Sequence, residues 1–257
     1  QRCVERADGN IFEVVGQLAE PLPALVIAEM LGVPAEDQEQ FRVWSAAQIA
    51  NSGFTAKPGA ELAAMQASYD LAQYFRKLIN DRPAGNNNDD LLSRLLAAER
   101  DDVLDENEVI ATAVLILIAG HETTTRLIGN ALYVLLQHPE QLADLRQAPD
   151  ELLDNTIEEC LRYESPVQTT ARTVVSDHSF NGYDLKRGQT ILTFVGAANR
   201  DPQVNADPNQ FDIHRESIKQ ISFGYGIHLC VGAALARLET KIALRTLLDR
   251  FPTMALV

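Results

Sequence analysis

The segment Phe223-Gly224-Tyr225-Gly226-Ile227-His228-Leu229-Cys230-Val231-Gly232 decides how the rest of the chain is read. Three glycines, an imidazole and a thiol share ten residues that run directly into a helical pattern. Glycine costs conformational entropy unless the backbone must enter the left-handed region or admit a close neighbour. A thiol at a helix start is biased toward thiolate by the free N–H groups and the helix dipole. The segment therefore reads as a glycine-hinged loop that presents the sulfur of Cys230 to something bulky. A free cysteine alone is more often a small buried hydrophobe; the flanking residues argue against that reading here.

Outward from this loop, composition sets the bounds. The 257 residues are 46% hydrophobic and 23% charged, enough apolar content for a substantial core. A net charge of −14 argues against a nucleic-acid partner, because phosphate binding needs a basic surface. Cys3, Cys160 and Cys230 are too few and scattered for a disulfide framework, which fits a reducing cytoplasm. The longest apolar run, 109–120, is interrupted by Thr112 and falls short of the ~20 residues of a membrane span. No signal peptide is expected.

Periodicity and punctuation predict a mainly helical chain with a small late sheet, an α+β segregation. Pro21 to Pro23 opens a helix closed by Gly32-Val33-Pro34. Further helices are expected over 35–50, 60–80 and 89–100, the second with Leu62, Met65, Tyr69, Ala72 and Leu78 along one face. Asp105 and Glu108 form a capping box for a helix to about Gln137, apolar on every side over 109–118 and hence expected to be buried all round. Helices over 139–146 and 150–164 follow, the latter stopped by Pro166. Strands are expected at 170–175 and 189–195, with Asn181-Gly182 as a two-residue hairpin turn. The last helix covers 231–251.

Several polar groups sit where chemistry would need them. The apolar helix carries Ala119-Gly120-His121-Glu122-Thr123-Thr124. Gly120 in mid-helix costs ~1 kcal/mol relative to Ala, and acids and hydroxyls beside apolar sequence are costly if unpaired. A kink with solvated polar groups is the simpler meaning of such a run. His121-Glu122 begins like a zinc-protease helix, but the second histidine that motif needs is Thr125 here. Glu159 and Arg162, three apart, share a helix face as a surface ion pair would, worth ~0–1 kcal/mol. Arg172 is a strand arginine, which exposure alone would explain. Arg237, Lys241 and Arg245 recur every four residues as a basic stripe, ordinarily a solvated face.

The pattern F-G-x-G-x-H-x-C-x-G at 223–232 resembles the haem-ligand loop of the cytochrome P450 family, the haem-thiolate monooxygenases, with every fixed position present. The run 119–124 is similar to the family's A-G-x-[DE]-T-T element, and 159–162 to its E-x-x-R helix. The segment 21–34 is similar to one carried by soluble bacterial members. The resemblance implies a P450 fold and haem b (iron protoporphyrin IX), with Cys230 as the axial thiolate on iron, a ligand that favours O–O cleavage. It implies Phe223, Gly224 and Gly226 as the shape of the ligand loop and His228 and Arg172 as partners of the haem propionates. Ala119 would leave room for O2, and Glu122 and Thr123 would deliver protons on that side. Leu115, Ile118, Ala119, Val167 and Thr169 would face a small apolar substrate, with Gln168 beside them. Glu159 and Arg162 would pin the ligand loop.

The resemblance also implies electrons drawn from NAD(P)H through a ferredoxin or other donor protein, docking on the stripe led by Arg237. The third member of the pinning network, usually an arginine in P-x-R-F, is Gln210 in Pro208-Asn209-Gln210-Phe211, with Arg215 nearby as a substitute. The match runs from about Pro21 onward, and the family's N-terminal third and last strands have no counterpart. Residues 1–257 are accordingly expected to be one incomplete P450 domain, with weak or absent haem retention if they are the whole molecule. The alternative is a truncated, catalytically silent fragment that acts at most as a binding module.

Overall fold

A computed structural model describes residues 11–50, 58–82, 89–100 and 103–257. Cys3 lies outside them, as do residues 83–88 between the helices expected over 60–80 and 89–100. The chain divides into two compact units, Gln1–Thr125 and Arg126–Val257.

In the first unit a π turn, Val15–Ala19, leads into α1, Pro21–Met30, and α2, Gln38–Ala50. Pro21 and Pro23 sit in the first turn of α1, where the missing N–H groups have no intrahelical partner to lose. Gly32, at φ 72°, closes the helix, and the Val33 N–H reaches back to the Ala28 carbonyl at 2.9 Å. Next come α3, Ala60–Asn80, and α4, Leu91–Arg100. An aromatic cluster holds α2 to α3: Phe41 meets Phe75 edge-on at 5.6 Å, and Tyr74 lies 5.6 Å from Trp44. Such pairs add ~0.5–1.5 kcal/mol beyond the area they bury. The buried face of α3 is Ala64, Ala67, Leu71 and Phe75, whereas Leu62, Met65 and Tyr69 are exposed. The expected apolar face is thus the wrong one of two stripes: alanines face inward because α2 comes close, and the larger side chains stay outside.

The long helix α5, Glu106–Gln137, spans the division between the units. Its capping box is formed, with the Asp105 N–H donating to Glu108 Oε2 at 2.8 Å and the Glu108 N–H to Asp105 Oδ1 at 2.9 Å. It is not buried on every side. Val109, Ile110, Ala113, Leu117, His121 and Thr124 are buried, while Leu115 is 64% exposed and Ala119 is exposed. A Cβ at Gly120 would lie 2.7 Å from Ile27 Cδ1 on α1, so this glycine allows the two helices to touch. That packing replaces the kink suggested by its position.

The second unit contains α6, Pro139–Gln147, and α7, Pro149–Tyr163. After α7 come β1, Thr169–Thr173, β2, His178–Phe180, β3, Tyr183–Leu185, and β4, Thr190–Phe194. A short helix α8, Val195–Ala198, follows at once, and α9, Ala233–Arg250, closes the order. The strands form two separate antiparallel ladders, β1 with β4 and β2 with β3, rather than one sheet. Asn181 and Gly182, both at positive φ, make the β2–β3 turn, and Arg172 in β1 stands opposite Ile191 in β4. Leu153, Ile157 and Leu161 of α7 and Ala243, Leu244 and Leu247 of α9 are buried. Among the described residues no helix is long and apolar enough to cross a membrane.

Candidate active site

The cysteine loop is built from its own backbone. The Cys230 N–H donates to the Phe223 carbonyl at 2.8 Å, Gly224 N–H to Ile221 at 2.8 Å and Leu229 N–H to Gly226 at 3.1 Å. Gly224 and Gly226 lie at φ 77° and 65°, where L side chains are strained. A Cβ at Gly224 would also sit 3.0 Å from the His228 carbonyl oxygen, whereas the space above Gly226 is open. A single 3-10 turn, Gly226–His228, bends the chain and delivers Cys230 just ahead of α9. The Cys230 thiol is exposed; that of Cys160 is buried, and burial pushes its pKa above the usual range.

Two anchors fix this loop in its unit. The first is Asn199, whose Oδ1 accepts the Ile221 N–H at 2.8 Å and whose amide donates to Ser222 Oγ at 2.9 Å; Ser222 in turn donates to the Leu161 carbonyl at 2.7 Å. The second is a buried ion network. Arg162 donates to both oxygens of Glu159 at 2.7 Å, and neither side chain has any exposure. Its remaining donors go to the carbonyls of Asn199 (3.3 Å), Pro208 (2.7 Å) and Gln210 (2.9 Å). Glu159 Oε1 also accepts the Asp212 N–H at 2.9 Å and Arg215 Nε at 3.0 Å. Arg215 thus supplies the second guanidinium, and Gln210 contributes its backbone carbonyl. The pair that spacing alone would put on the surface is among the most deeply buried polar groups in the chain.

The remaining candidates take different surroundings. Thr123 donates to the Ala119 carbonyl at 2.8 Å, the back-bond a helical threonine makes to the preceding turn. Leu115 and Ala119 are exposed on α5, and Ile118 is half-buried. Val167 and Thr169 are half-buried before and within β1. Arg172 is exposed and donates to its neighbour's carbonyl, Ala171, at 2.8 Å; His228 is exposed.

The partners of His121 lie far from it in sequence and no local pattern points to them. It is 1% exposed, with Nδ1 2.7 Å from Ser45 Oγ on α2 and Nε2 3.0 Å from the Glu20 carbonyl. A carbonyl only accepts, so Nε2 carries the proton and Nδ1 accepts from the serine. Burial holds the imidazole pKa below its ordinary value, which favours this neutral form. His121 thereby fixes the turn of α5 that carries Glu122 and Thr123.

The basic stripe on α9 is not an open face. Arg237 pairs with Glu158, Lys241 with Asp154 at 2.7 Å and Arg245 with Asp150 at 2.6 Å. The two helices run antiparallel along this ladder, each cation matched to a carboxylate one turn on. The docking role expected of Arg237 therefore loses its free charge.

These residues fit a haem. One exposed thiol is the only soft donor the loop offers, and Ile227, Leu229 and Val231 beside it are 97%, 61% and 100% exposed. Each such side chain gains about 1.5–3 kcal/mol when covered, so an apolar plane on the sulfur suits the loop. The glycine-built turn keeps side chains away from that approach.

Comparison with known proteins agrees. The cytochrome P450 family pattern matches residues 54–254, and the chain belongs to that family. It is 44% identical over 245 residues to the biotin biosynthesis cytochrome P450 of Bacillus subtilis (strain 168), covering 95% of this chain and 62% of that one. It is 42% identical over 247 residues to the cytochrome P450 monooxygenase PikC of Streptomyces venezuelae, covering 95% and 57%. Among solved structures, ligand-free Mycobacterium smegmatis CYP164A2 superimposes with a TM-score of 0.91 at 39% identity, over all of this chain and 66% of that one. The chain spans about 60% of the length of the curated relatives it matches.

Proposed function

We propose that the chain is the haem-binding part of a monooxygenase that inserts one atom of O2 into a small apolar substrate. The observation that carries this reading is the exposed Cys230 thiol on a loop pinned by the buried Glu159–Arg162–Arg215 network. The family match runs 54–254 across the division between the two compact units, which supports reading both as parts of one P450 domain. Haem b, which Cys230 would hold, would supply the site at which O2 is reduced and cleaved.

The protein's own residues do the rest. Cys230 binds as thiolate, and Phe223, Gly224 and Gly226 keep its loop in one shape. His228 and Arg172 hold the propionates. Thr123, fixed on its turn by Ala119 and His121, passes a proton from its hydroxyl, and Glu122 restores it; a dry site makes such a relay necessary. Leu115, Ile118, Ala119, Val167 and Thr169 exclude water and orient the substrate. Two structural relatives were solved with apolar ligands, testosterone in one and a hexadec-9Z-enoic acid-ligated acyl carrier protein in the other, which supports the apolar class. Electrons come from NAD(P)H through a ferredoxin-like or other donor protein.

The test is turnover of the haem-loaded chain with a ferredoxin, its reductase and NADPH. An apolar ligand should raise O2 consumption, and Thr123→Val or Glu122→Gln should lower product formed per NADPH by about 10²-fold or more, the scale of a lost proton-transfer group. Unchanged yield in both variants would remove the relay from the account.

A further inference from the structure

Glu158 precedes the buried Glu159, yet its carboxylate serves the cysteine loop directly. Arg237 Nε donates to its Oε1 at 2.5 Å, and the terminal nitrogens of Arg237 and Gln220 donate to its Oε2 at 3.2 and 3.0 Å. These two partners bracket the loop. Gln220 enters it, its Oε1 accepting the Ser222 N–H at 2.6 Å. Arg237 leaves it, with its guanidinium 4.5 Å from the centre of the Phe223 ring. One carboxylate on α7 therefore ties both ends of the loop that carries Cys230.

We propose that Glu158 is a positioning residue for Cys230, clamping its loop at both ends through Gln220 and Arg237 and balancing the Arg237 charge against that loop. The rest of the ladder makes the role specific. Asp154–Lys241 and Asp150–Arg245 join the same two helices by the same kind of contact, away from residues 220–232. Helix pairing is thus shared among three pairs, and a half-exposed pair adds little to stability. The pair at Glu158 alone reaches the loop. Without its charge, Arg237 stands uncompensated over Phe223 of the loop, and the two ends of the loop are less firmly tied. An uncompensated cation there favours the state with one more electron on a bound iron, and a looser loop opens the Cys230 sulfur to reagents more often.

The inference rests on Cys230 as the haem ligand, so its test has one arm that needs no haem. Glu158→Gln keeps the side-chain shape and removes the charge; Asp154→Asn breaks a ladder pair that does not touch the loop; the double variant Glu158→Gln/Arg237→Gln removes both charges. The first readout is the midpoint potential of the haem-loaded chain. The second is the iodoacetamide alkylation rate of Cys230 in the haem-free chain, read on its own peptide by mass spectrometry.

Glu158→Gln is expected to shift the reduction equilibrium roughly tenfold toward the reduced form, about 59 mV for one electron. It should also speed alkylation several-fold as the loop loosens. Asp154→Asn should change neither; the double variant should return the potential toward the parent and leave alkylation fast, because the loop stays untied. Equal responses in Glu158→Gln and Asp154→Asn, or none in Glu158→Gln, would overturn the proposal. If no thiolate-ligated haem forms, the haem reading fails while the alkylation arm still decides the role of Glu158.

Discussion

Replacing Arg162 with alanine is expected to lower stability by about 3–5 kcal/mol, the scale of stranding one member of a buried ion pair. All five of its donors are used: two on Glu159 and three on the carbonyls of Asn199, Pro208 and Gln210. The variant leaves those carbonyls without that donor in a dry interior, and it leaves Glu159 with only Arg215 and one backbone N–H. Lysine should not rescue it, since three donors on a flexible stem cannot reproduce a planar fork of five. Urea unfolding of the two variants checks this. A loss in Arg162→Ala below about 1 kcal/mol, the worth of an exposed pair, would show that the network is not the anchor described. The same carbonyls belong to the segment preceding the cysteine loop, so the effect should reach Cys230.

The second large effect is a pH dependence at Glu239 on α9. This carboxyl is 4% exposed, its Oε2 has no hydrogen-bond partner among the described residues, and burial pushes its pKa up to about 7 from 4.5. The folded state therefore keeps a proton that the unfolded chain releases from pH 4.5 upward. The stability this gives is complete below pH 4.5 and is lost as pH rises toward 7. The loss amounts to roughly 2–3 kcal/mol, since each pH unit between the two values is worth up to about 1.4 kcal/mol. Glu239→Gln should flatten the profile between pH 4.5 and 7 and leave the variant more stable than the parent at pH 8. Denaturant midpoints across this range are the check, and parallel profiles for the two proteins would contradict it.

Much of the architecture is legible in local sequence because local chemistry determines it. The capping box of Asp105 and Glu108, the Asn181-Gly182 turn and the bounds of α3 all follow from residues within a few positions of each other. The cysteine loop is legible for the same reason: its glycines and its thiol are adjacent. Where a choice depends on a distant partner, the linear pattern fails. The stripe 62, 65, 69 on α3 and the stripe 64, 67, 71, 75 are both apolar, and only the closeness of α2 selects the second. Position 120 reads as a helix defect until Ile27 is brought against it. Arg237, Lys241 and Arg245 read as a free basic face because their carboxylates lie some 80 to 95 residues away in sequence. Glu158 and Glu159 are adjacent glutamates whose difference arises from helix geometry: 100° of rotation sends one into the core network and the other to the loop.

Everything proposed for this chain depends on Cys230 being the thiolate that binds haem iron. The reduced, CO-bound difference spectrum of the haem-loaded chain tests it most directly, measured beside Cys230→Ser. A red-shifted Soret band is expected for the parent chain, and its loss in the serine variant. No such band in the parent, or the same band in both proteins, would contradict it.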